Sequence, residues 1–277
     1  MPVNTDSAGL QHEGAGLRYR HKKTHHIGRG NGYRPAFFNL LDACIENGVK
    51  RFVLISTDKA VNPVSIYGVS KMLNEKMVLN AAERIKERYG SADYAYMFVR
   101  FGNVLGSRGS IFPLFVEQVK KGGPVTVTSP DMMRFFMTIP EACSLVLQTG
   151  GVGINGQSYL LDMGEPVNIL ETARQLIRYM GYEPEKDIPI EIIGVRPGER
   201  LEEPLISETE YTEATDYPKI LRLQNRAEYS AADLEKLLAA LEPVCCPSAD
   251  PALYRNKDYL IQTLCSACPE LAQHFGR

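Results

Sequence analysis

The stretch RFVLISTDKAVNPVSIYGVSK, residues 51–71, determines the fold class. It opens on Arg51–Ser56, an apolar run with the length and composition of a buried strand in a parallel sheet. A polar loop follows, and helical spacing of apolar residues begins at Ile66 and runs to Tyr89. Because open α/β sheets bind ligands at the carboxyl ends of their strands, we expect a functional site in this loop.

Helical and extended segments alternate on both sides of this stretch. Apolar residues at helical spacing predict helices over residues 35–48, 66–89, 112–121, 140–148 and 168–180. Short apolar runs predict strands over residues 51–56, 94–101, 125–128, 158–161 and 189–193. This βαβα order predicts an α/β fold built on a doubly wound parallel sheet.

The 277-residue chain divides into three predicted regions. Residues 1–34 contain no two adjacent apolar residues and no periodicity, which predicts a disordered or non-native leader. A metal site at the leader's histidines is the weaker interpretation. Residues 35–225 form the predicted catalytic domain with a smaller substrate-binding part, and residues 226–277 form a C-terminal helical extension.

Composition and charge exclude several classes of protein. A net charge of -2 argues against a polybasic nucleic-acid binder, and no apolar run is long enough to span a membrane. Six cysteines, unevenly placed, do not make a disulfide framework and fit a reducing cytoplasm, which is the predicted location. We read Cys265 and Cys268 as one apolar helix face rather than as zinc ligands, so no metal is predicted.

Tyr67 and Lys71 lie four residues apart at the start of a predicted helix, which places them on one face. A neighbouring ammonium favours the phenolate form of a tyrosine, which is otherwise a poor base at neutral pH. The pair is therefore a candidate for removing a proton from a hydroxyl group while a hydride leaves the same carbon. The alternative is an ordinary pair of side chains on a surface helix.

Asp58 and Lys59 directly follow the predicted strand and offer an acid and a base beside the same substrate. Eliminating water across a carbon–carbon bond requires such a pair, since one group takes a carbon-bound proton and the other protonates the departing hydroxyl. A helix cap or a surface ion pair is the alternative interpretation.

Four ordered motifs together resemble one enzyme family. They are residues 56–71, VRFGNVLGSRGS at 99–110, MRFFM at 133–137 and RPGER at 196–200. They are similar to motifs of extended short-chain dehydrogenases/reductases, and more specifically of the UDP-N-acetylglucosamine 4,6-dehydratases of bacterial polysaccharide biosynthesis. The resemblance implies an NAD(P)-binding, Rossmann-like sheet, and the Asp58–Lys59 pair favours the dehydratase branch because UDP-sugar epimerases usually lack it.

The resemblance also implies a role for each catalytic residue. Tyr67 would deprotonate the C4 hydroxyl as NADP, or NAD, takes the C4 hydride, and Lys71 would hold the nicotinamide ribose. Lys59 would abstract the C5 proton, and Asp58 would protonate the C6 hydroxyl as it leaves. The hydride would then return to C6, so that the cofactor is recycled.

Further residues are implied as binding groups. Those on the cofactor side, besides Tyr67 and Lys71, are Ser56, Thr57 and Val104. Those on the UDP-sugar side are Asn103, Arg108, Gly109, Ser110, Arg134, Arg196 and Glu199. For Arg134 an ion pair between a helix and the sheet is an equal alternative.

The sequence lacks a Gly-rich turn between a first strand and a first helix, where a dinucleotide fold binds its pyrophosphate. One βαβ unit takes about 30 residues or more, so the 34-residue leader is too short for the units that should precede Pro35. We therefore expect a sheet without its first strands and impaired cofactor binding.

Three functions stay open on the sequence alone. The first is a UDP-N-acetylglucosamine 4,6-dehydratase, and the second is a truncated, inactive nucleotide-sugar-binding fragment. The third is a UDP-hexose 4-epimerase. A UDP-sugar is the expected partner in each, nucleic acid is not, and a homo-oligomer is left open.

Overall fold

The computed structural model describes residues 36–267 apart from 91–92, 108, 197, 226–230 and 246–249. The predicted leader, residues 1–34, lies outside the described residues. The boundary predicted between residues 225 and 226 is not tested and stays a prediction.

Helices and strands alternate along the described chain, as the sequence predicts. The helices are α1 (Ala36–Glu46), α2 (Ile66–Tyr89), α3 (Ile111–Lys120), α4 (Ile139–Val152), α5 (Ile169–Tyr179), α6 (Ala231–Cys245) and α7 (Lys257–Ala267). The strands are β1 (Arg51–Ile55), β2 (Ala95–Arg100), β3 (Asn103–Leu105), β4 (Val125–Val127), β5 (Met133–Arg134), β6 (Phe136–Thr138), β7 (Ser158–Leu161), β8 (Val167–Asn168), β9 (Ile190–Ile192), β10 (Glu210–Ala214) and β11 (Ile220–Asn225).

A five-stranded sheet in the order β1-β2-β7-β11-β10 forms the centre of the fold. Strands β1, β2 and β7 run parallel, and the hairpin β10–β11 joins β7 in antiparallel orientation. The remaining strands form three two-stranded sheets, β3–β6, β4–β9 and β5–β8. The predicted Rossmann-like α/β class is confirmed, although the hairpin at the edge adds an antiparallel part to the sheet.

Helices cover both faces of strand β2, in which every residue is buried. Tyr96 belongs to a cluster with apolar residues of α1 and α2, whereas Met97 and Val99 belong to a cluster with apolar residues of α4. Side chains alternate between the two faces of a strand, so this division is what a doubly wound sheet requires.

Two other parts of the chain pack around this centre. Leucines of α6 and α7, among them Leu234 and Leu264, are buried in the cluster formed by α1 and α2. A third cluster joins α3, α5, β4 and the residues before β9. The substrate-binding part of residues 35–225 stays a prediction. None of the described helices is both long enough and apolar enough to cross a membrane.

The buried guanidinium of Arg100 connects three elements. Its Nη2 lies 2.7 Å from Oε2 of Glu75 on α2, and its Nη1 lies 2.9 Å from Oε2 of Glu210 on β10. The Ser56 hydroxyl, just after β1, donates to the other oxygen of Glu75. A buried charge is tolerable only when it is paired and hydrogen-bonded, and this network satisfies that condition.

The start of α2 packs directly on the turn that follows β1. Ser65 caps the helix, and its hydroxyl accepts from the Gly68 backbone N–H at 3.1 Å. A Cβ atom at Gly68 would overlap the Lys59 carbonyl oxygen and would lie 2.9 Å from Cβ of Pro63. Only glycine lets the helix approach the turn this closely.

Replacement of Arg100 by methionine is expected to lower the free energy of unfolding by about 3–5 kcal/mol, because it leaves two buried carboxylates unpaired. Urea unfolding followed by circular dichroism measures the change. The matched control is Glu117→Gln, which breaks an exposed ion pair with Lys121 and should leave the midpoint unchanged. Equal midpoints for the two variants would contradict the assigned role of the network.

Replacement of Gly68 by alanine is expected to cost about 1–3 kcal/mol of stability, since backbone must move to admit the new methyl group. Gly151→Ala in α4 is the control, because a Cβ there meets nothing within 4 Å. This control should be neutral or stabilising by up to about 1 kcal/mol. The same urea experiment compares the two variants. An unchanged midpoint for Gly68→Ala would show that the packing between α2 and the turn after β1 has room for a methyl group.

Candidate active site

A cleft of about 640 Å³ lies at the carboxyl end of β1. Its walls come from the turn after β1, the start of α2, the segment from β3 to the start of α3, and residues 196–204. This is the position that an open α/β sheet offers to a ligand.

The turn after β1 fixes Asp58 and Lys59 in this cleft. Hydrogen bonds from the Ser56 N–H to the Val99 carbonyl and from the Asp58 N–H to the Phe101 carbonyl extend the pairing with β2 beyond the strand. The chain then forms a 3-10 turn, Asp58–Ala60, with Thr57 as its cap. The Asp58 side chain is 1% exposed and the Lys59 side chain 35% exposed, so the pair is not a surface ion pair.

Three charged groups meet in the cleft: Asp58, Lys59 and Glu203. The Lys59 Nζ lies 3.0 Å from Oδ1 of Asp58 and 2.6 Å from Oε2 of Glu203. The Glu203 side chain is 13% exposed. Thr57 also donates its hydroxyl to Oδ1 of Asp58 at 2.6 Å. Sequence reasoning missed Glu203, which lies 144 residues beyond Lys59 and follows the RPGER motif by three residues.

The two carboxyl groups have opposite preferences for a proton. Burial raises the pKa of Asp58, but the hydrogen bond from Glu203, the charge of Lys59 and the hydrogen bond from Thr57 together hold it below its ordinary value. Burial, followed by the hydrogen bond and the charge of Asp58, raises the pKa of Glu203. Asp58 is therefore the stronger acid of the two, and Glu203 keeps its proton to a higher pH than Asp58 does.

Lys59 is the cation of this cluster. Burial lowers the pKa of its ammonium. The charges of Asp58 and Glu203 and the hydrogen bonds to both raise this pKa by more than burial lowers it, so that the net pKa is above the ordinary value. Lys59 is therefore an ammonium that lies beside two carboxyl groups, of which Asp58 is the stronger acid.

Tyr67 and Lys71 occupy the first turns of α2. Tyr67 lines the cleft and is 57% exposed. The Lys71 Nζ lies 5.4 Å from the centroid of the Tyr67 ring, as the spacing of four residues on a helix requires. Lys71 itself is not among the residues that line the cleft.

The predicted binding residues divide into three groups. Those that line the cleft are Asn103, Val104, Gly109, Ser110, Arg134, Arg196 and Glu199. Ser56 and Thr57 are not among the lining residues; their hydroxyls donate to Glu75 and Asp58 respectively. Arg108 lies outside the described residues.

Ser110 stands at the N-terminus of α3 with a free hydroxyl. It is the N-cap of this ten-residue helix but makes no side-chain capping bond. Its Oγ is buried and has no hydrogen-bond partner within the described part of the chain. An unsatisfied buried hydroxyl beside the N–H groups of a helix start, in a cleft, is a site prepared for an acceptor-rich ligand such as a phosphate.

Arg134 holds the loop that carries Glu203. Its guanidinium donates to the carbonyls of Leu201 and Arg200, each at 2.8 Å, and its Nη2 lies 3.5 Å from Oε1 of Glu203. Arg200 in turn donates to the backbone carbonyls of Val61 and Asn62. These contacts bind the loop to the turn after β1 and bring Glu203 to Lys59. Arg134 both lines the cleft and serves as this anchor.

Metal chemistry has no candidate donor set in the part of the chain described here. Within it, His, Cys, Asp and Glu do not gather in any group of three or more that could hold a metal ion. Cys265 packs against the cluster of α1 and α2, whereas Cys268 lies outside the described residues.

Residues 36–225 match the family described as polysaccharide biosynthesis protein. The capsular polysaccharide biosynthesis protein CapD of Staphylococcus aureus is 47% identical over 184 residues, which cover 66% of this chain and 30% of CapD. A UDP-glucose 4-epimerase of Rickettsia rickettsii is 34% identical over 210 residues, which cover 74% of this chain and 59% of the epimerase. The chain therefore spans only part of the length of these relatives.

Two solved structures share the fold. Pen from Bacillus thuringiensis is 29% identical, with a TM-score of 0.59 over 69% of this chain and 58% of that chain. The dTDP-glucose 4,6-dehydratase DesIV from Streptomyces venezuelae, solved with NAD and TYD bound, is 20% identical, with a TM-score of 0.51 over 78% of this chain and 67% of that chain.

The family match covers more than half of the 277 residues and includes every described wall of the cleft. The chain belongs to the polysaccharide biosynthesis protein family.

Proposed function

We propose that this chain carries the catalytic and sugar-binding residues of a UDP-N-acetylglucosamine 4,6-dehydratase that uses NADP or NAD. The observation that supports this most is the pairing of Asp58 and Lys59, 3.0 Å apart, in the same cleft as Tyr67. Hydride transfer alone needs no second acid–base pair, whereas elimination of water does.

Tyr67 and Lys71 are the groups suited to the hydride-transfer end of the cleft. In its phenolate form the exposed Tyr67 can take the C4 hydroxyl proton, and the Lys71 Nζ lies 5.4 Å from the centroid of its ring. A nicotinamide cofactor, when bound, supplies the acceptor and later the donor of the hydride. The residues that fit it here are Tyr67, Lys71 and Val104, because the Ser56 hydroxyl is already bonded to Glu75.

Asp58 and Lys59 are assigned to the elimination. Lys59 as the free amine takes the C5 proton, which a ketone at C4 acidifies, and Asp58 as the acid protonates the departing C6 oxygen. The resting charge states are the reverse of these, so one proton must first pass from the Lys59 Nζ to Oδ1 of Asp58. The 3.0 Å distance between these atoms permits that transfer directly.

The start of α3 is assigned to the diphosphate of the UDP-sugar. The free Ser110 hydroxyl and the N-terminal N–H groups of the helix face the cleft beside Asn103. Arg196, in the opposite wall, offers a guanidinium that can bind phosphate with two hydrogen bonds.

A UDP-hexose 4-epimerase is the second candidate function. The Rickettsia rickettsii relative, which is named a UDP-glucose 4-epimerase, favours it. An epimerase would need Tyr67 and Lys71 but would have no use for the buried acid–base pair. The cytoplasmic location and the choice between NADP and NAD stay predictions.

The chain supplied with NADP, or NAD, and UDP-N-acetylglucosamine is expected to form a product lighter by one water, detected by mass spectrometry. Asp58→Asn should stop water loss while reduced cofactor still accumulates, because only the acid of the elimination is removed. Asp93→Asn, at an exposed carboxylate, is the control and should behave as wild type. A C4 epimer without water loss would establish the epimerase, and binding without turnover would establish a sugar-binding fragment.

Tyr67→Phe is expected to lower the rate of cofactor reduction by about 10²–10⁴-fold, since general-base catalysis contributes about that much. Stopped-flow absorbance of the reduced nicotinamide measures this step. Tyr179→Phe, at a tyrosine that is 90% exposed on α5, is the matched control and should leave the rate unchanged. A Tyr67→Phe variant that reduces the cofactor at the wild-type rate would remove Tyr67 from the mechanism.

A further inference from the structure

Glu203 has no role in the assignments above, yet it makes the shortest contact in the acid–base cluster. Its Oε2 lies 2.6 Å from the Lys59 Nζ, closer than the 3.0 Å between Lys59 and Asp58. Its other oxygen, Oε1, lies 3.5 Å from Nη2 of Arg134, whose side chain is 12% exposed. Its burial and these two contacts fix the position of the Glu203 side chain in the site.

A lysine between two carboxyl groups is a base only if it can lose its proton. Each ionised carboxylate within hydrogen-bond distance stabilises the ammonium and opposes that loss. Asp58 alone can accept the proton and become neutral in the same step. A second, ionised carboxylate at 2.6 Å would still hold the ammonium, so the charge on Glu203 decides whether the Lys59–Asp58 pair can exchange its proton.

We propose that Glu203 is a positioning residue that controls the proton content of the Lys59–Asp58 pair, and that the pair can exchange its proton only while Glu203 is neutral. The catalytic meaning of this control rests on the proposed dehydratase function. The control itself is a property of the three side chains and is measurable without substrate.

The protons balance through the elimination step. An N–H bond of the Lys59 ammonium breaks and an O–H bond forms on Asp58, which leaves a neutral amine and a neutral acid. The amine then takes the C5 proton, the C5–H electron pair becomes the C5–C6 double bond, and the C6–O bond breaks as Asp58 protonates the oxygen to give water. Lys59 is again an ammonium and Asp58 a carboxylate, while Glu203 keeps its proton throughout.

Some groups around Glu203 raise its pKa and others lower it. Asp58 on the turn after β1 favours the neutral acid, as does burial, and both raise the pKa of Glu203. Lys59 on the same turn, Arg134 on β5 and Arg200 on its own loop favour the carboxylate. The net pKa of Glu203 is above its ordinary value, so Glu203 stays neutral to a higher pH than an exposed glutamate and ionises as the pH rises further.

Competitive acetylation of the full-length chain with acetic anhydride tests the proposal without cofactor or substrate. Only a neutral amine reacts, so peptide mass spectrometry of Lys59 against pH reports its ionisation, with Lys71 as the internal reference. Glu203→Gln is neutral at every pH, and we expect it to raise the acetylation of Lys59 at alkaline pH by about tenfold, the effect of one pKa unit. Lys71 should not change.

Two further variants separate charge from structure. Glu202→Gln, at the exposed neighbouring carboxylate, should leave the Lys59 profile as in wild type. Glu203→Asp keeps an ionisable group and should restore at least part of the wild-type suppression at alkaline pH. An identical Lys59 profile in wild type and Glu203→Gln would overturn the proposal, as would an equal increase in Glu203→Asp and Glu203→Gln.

An activity measurement distinguishes this inference from the function on which it rests. Water loss from UDP-N-acetylglucosamine by wild type should fall as rising pH ionises Glu203, and Glu203→Gln should lack that fall. If wild type forms product with the same pH profile as Glu203→Gln, the control by Glu203 is refuted but the dehydratase function is not. Wild type that forms no product, but whose Lys59 acetylation depends on Glu203, would refute the dehydratase and leave the proton control standing.

Discussion

The burial of the Asp58 carboxylate is the constraint on which the candidate site depends. An ionised group that is 1% exposed is tolerable only with partners close at hand. Those partners are Thr57 and Lys59 beside it in the turn, and Lys59 is in turn bound by Glu203 from the distant loop after RPGER. The turn and the loop must therefore pack together for either to be stable, and the cleft between them is the consequence.

The sequence predicts the parts of the fold that rest on local periodicity. The alternation of apolar runs around residues 51–71 places β1, α2 and β2 within a few residues of their observed bounds, because buried parallel strands and long helices have distinct patterns. The hairpin β10–β11 is missed, since β10 is largely exposed and its sequence EYTEA carries no apolar alternation. In the smaller sheets the sequence predicts β4 and β9, whereas β3, β5, β6 and β8, of two or three residues each, are too short to leave a periodic signal.

The sequence predicts less of the site, because contacts between side chains that are far apart in the chain produce no local sequence pattern. Asp58, Lys59 and Tyr67 follow a strand and are found together in the cleft, as strand-end residues should be. Glu203 shows no pattern of its own beyond adjacency to the RPGER motif. Ser56 follows the strand equally closely, but its hydroxyl is bonded to Glu75 behind the sheet end, next to Arg100.

Two anchors link the fold to the chemistry. Arg100 binds α2 and β10 to β2 and so fixes the helix that carries Tyr67 and Lys71. Arg134 binds the loop that carries Glu203 and so holds this carboxyl group beside Lys59. The tyrosine side and the elimination side of the cleft thus have different supports, which meet where Gly68 lets α2 touch the Lys59 carbonyl and where the Ser56 hydroxyl donates to Glu75. A change at Arg100 should therefore act first on the tyrosine side, whereas a change at Arg134 should act first on the elimination side.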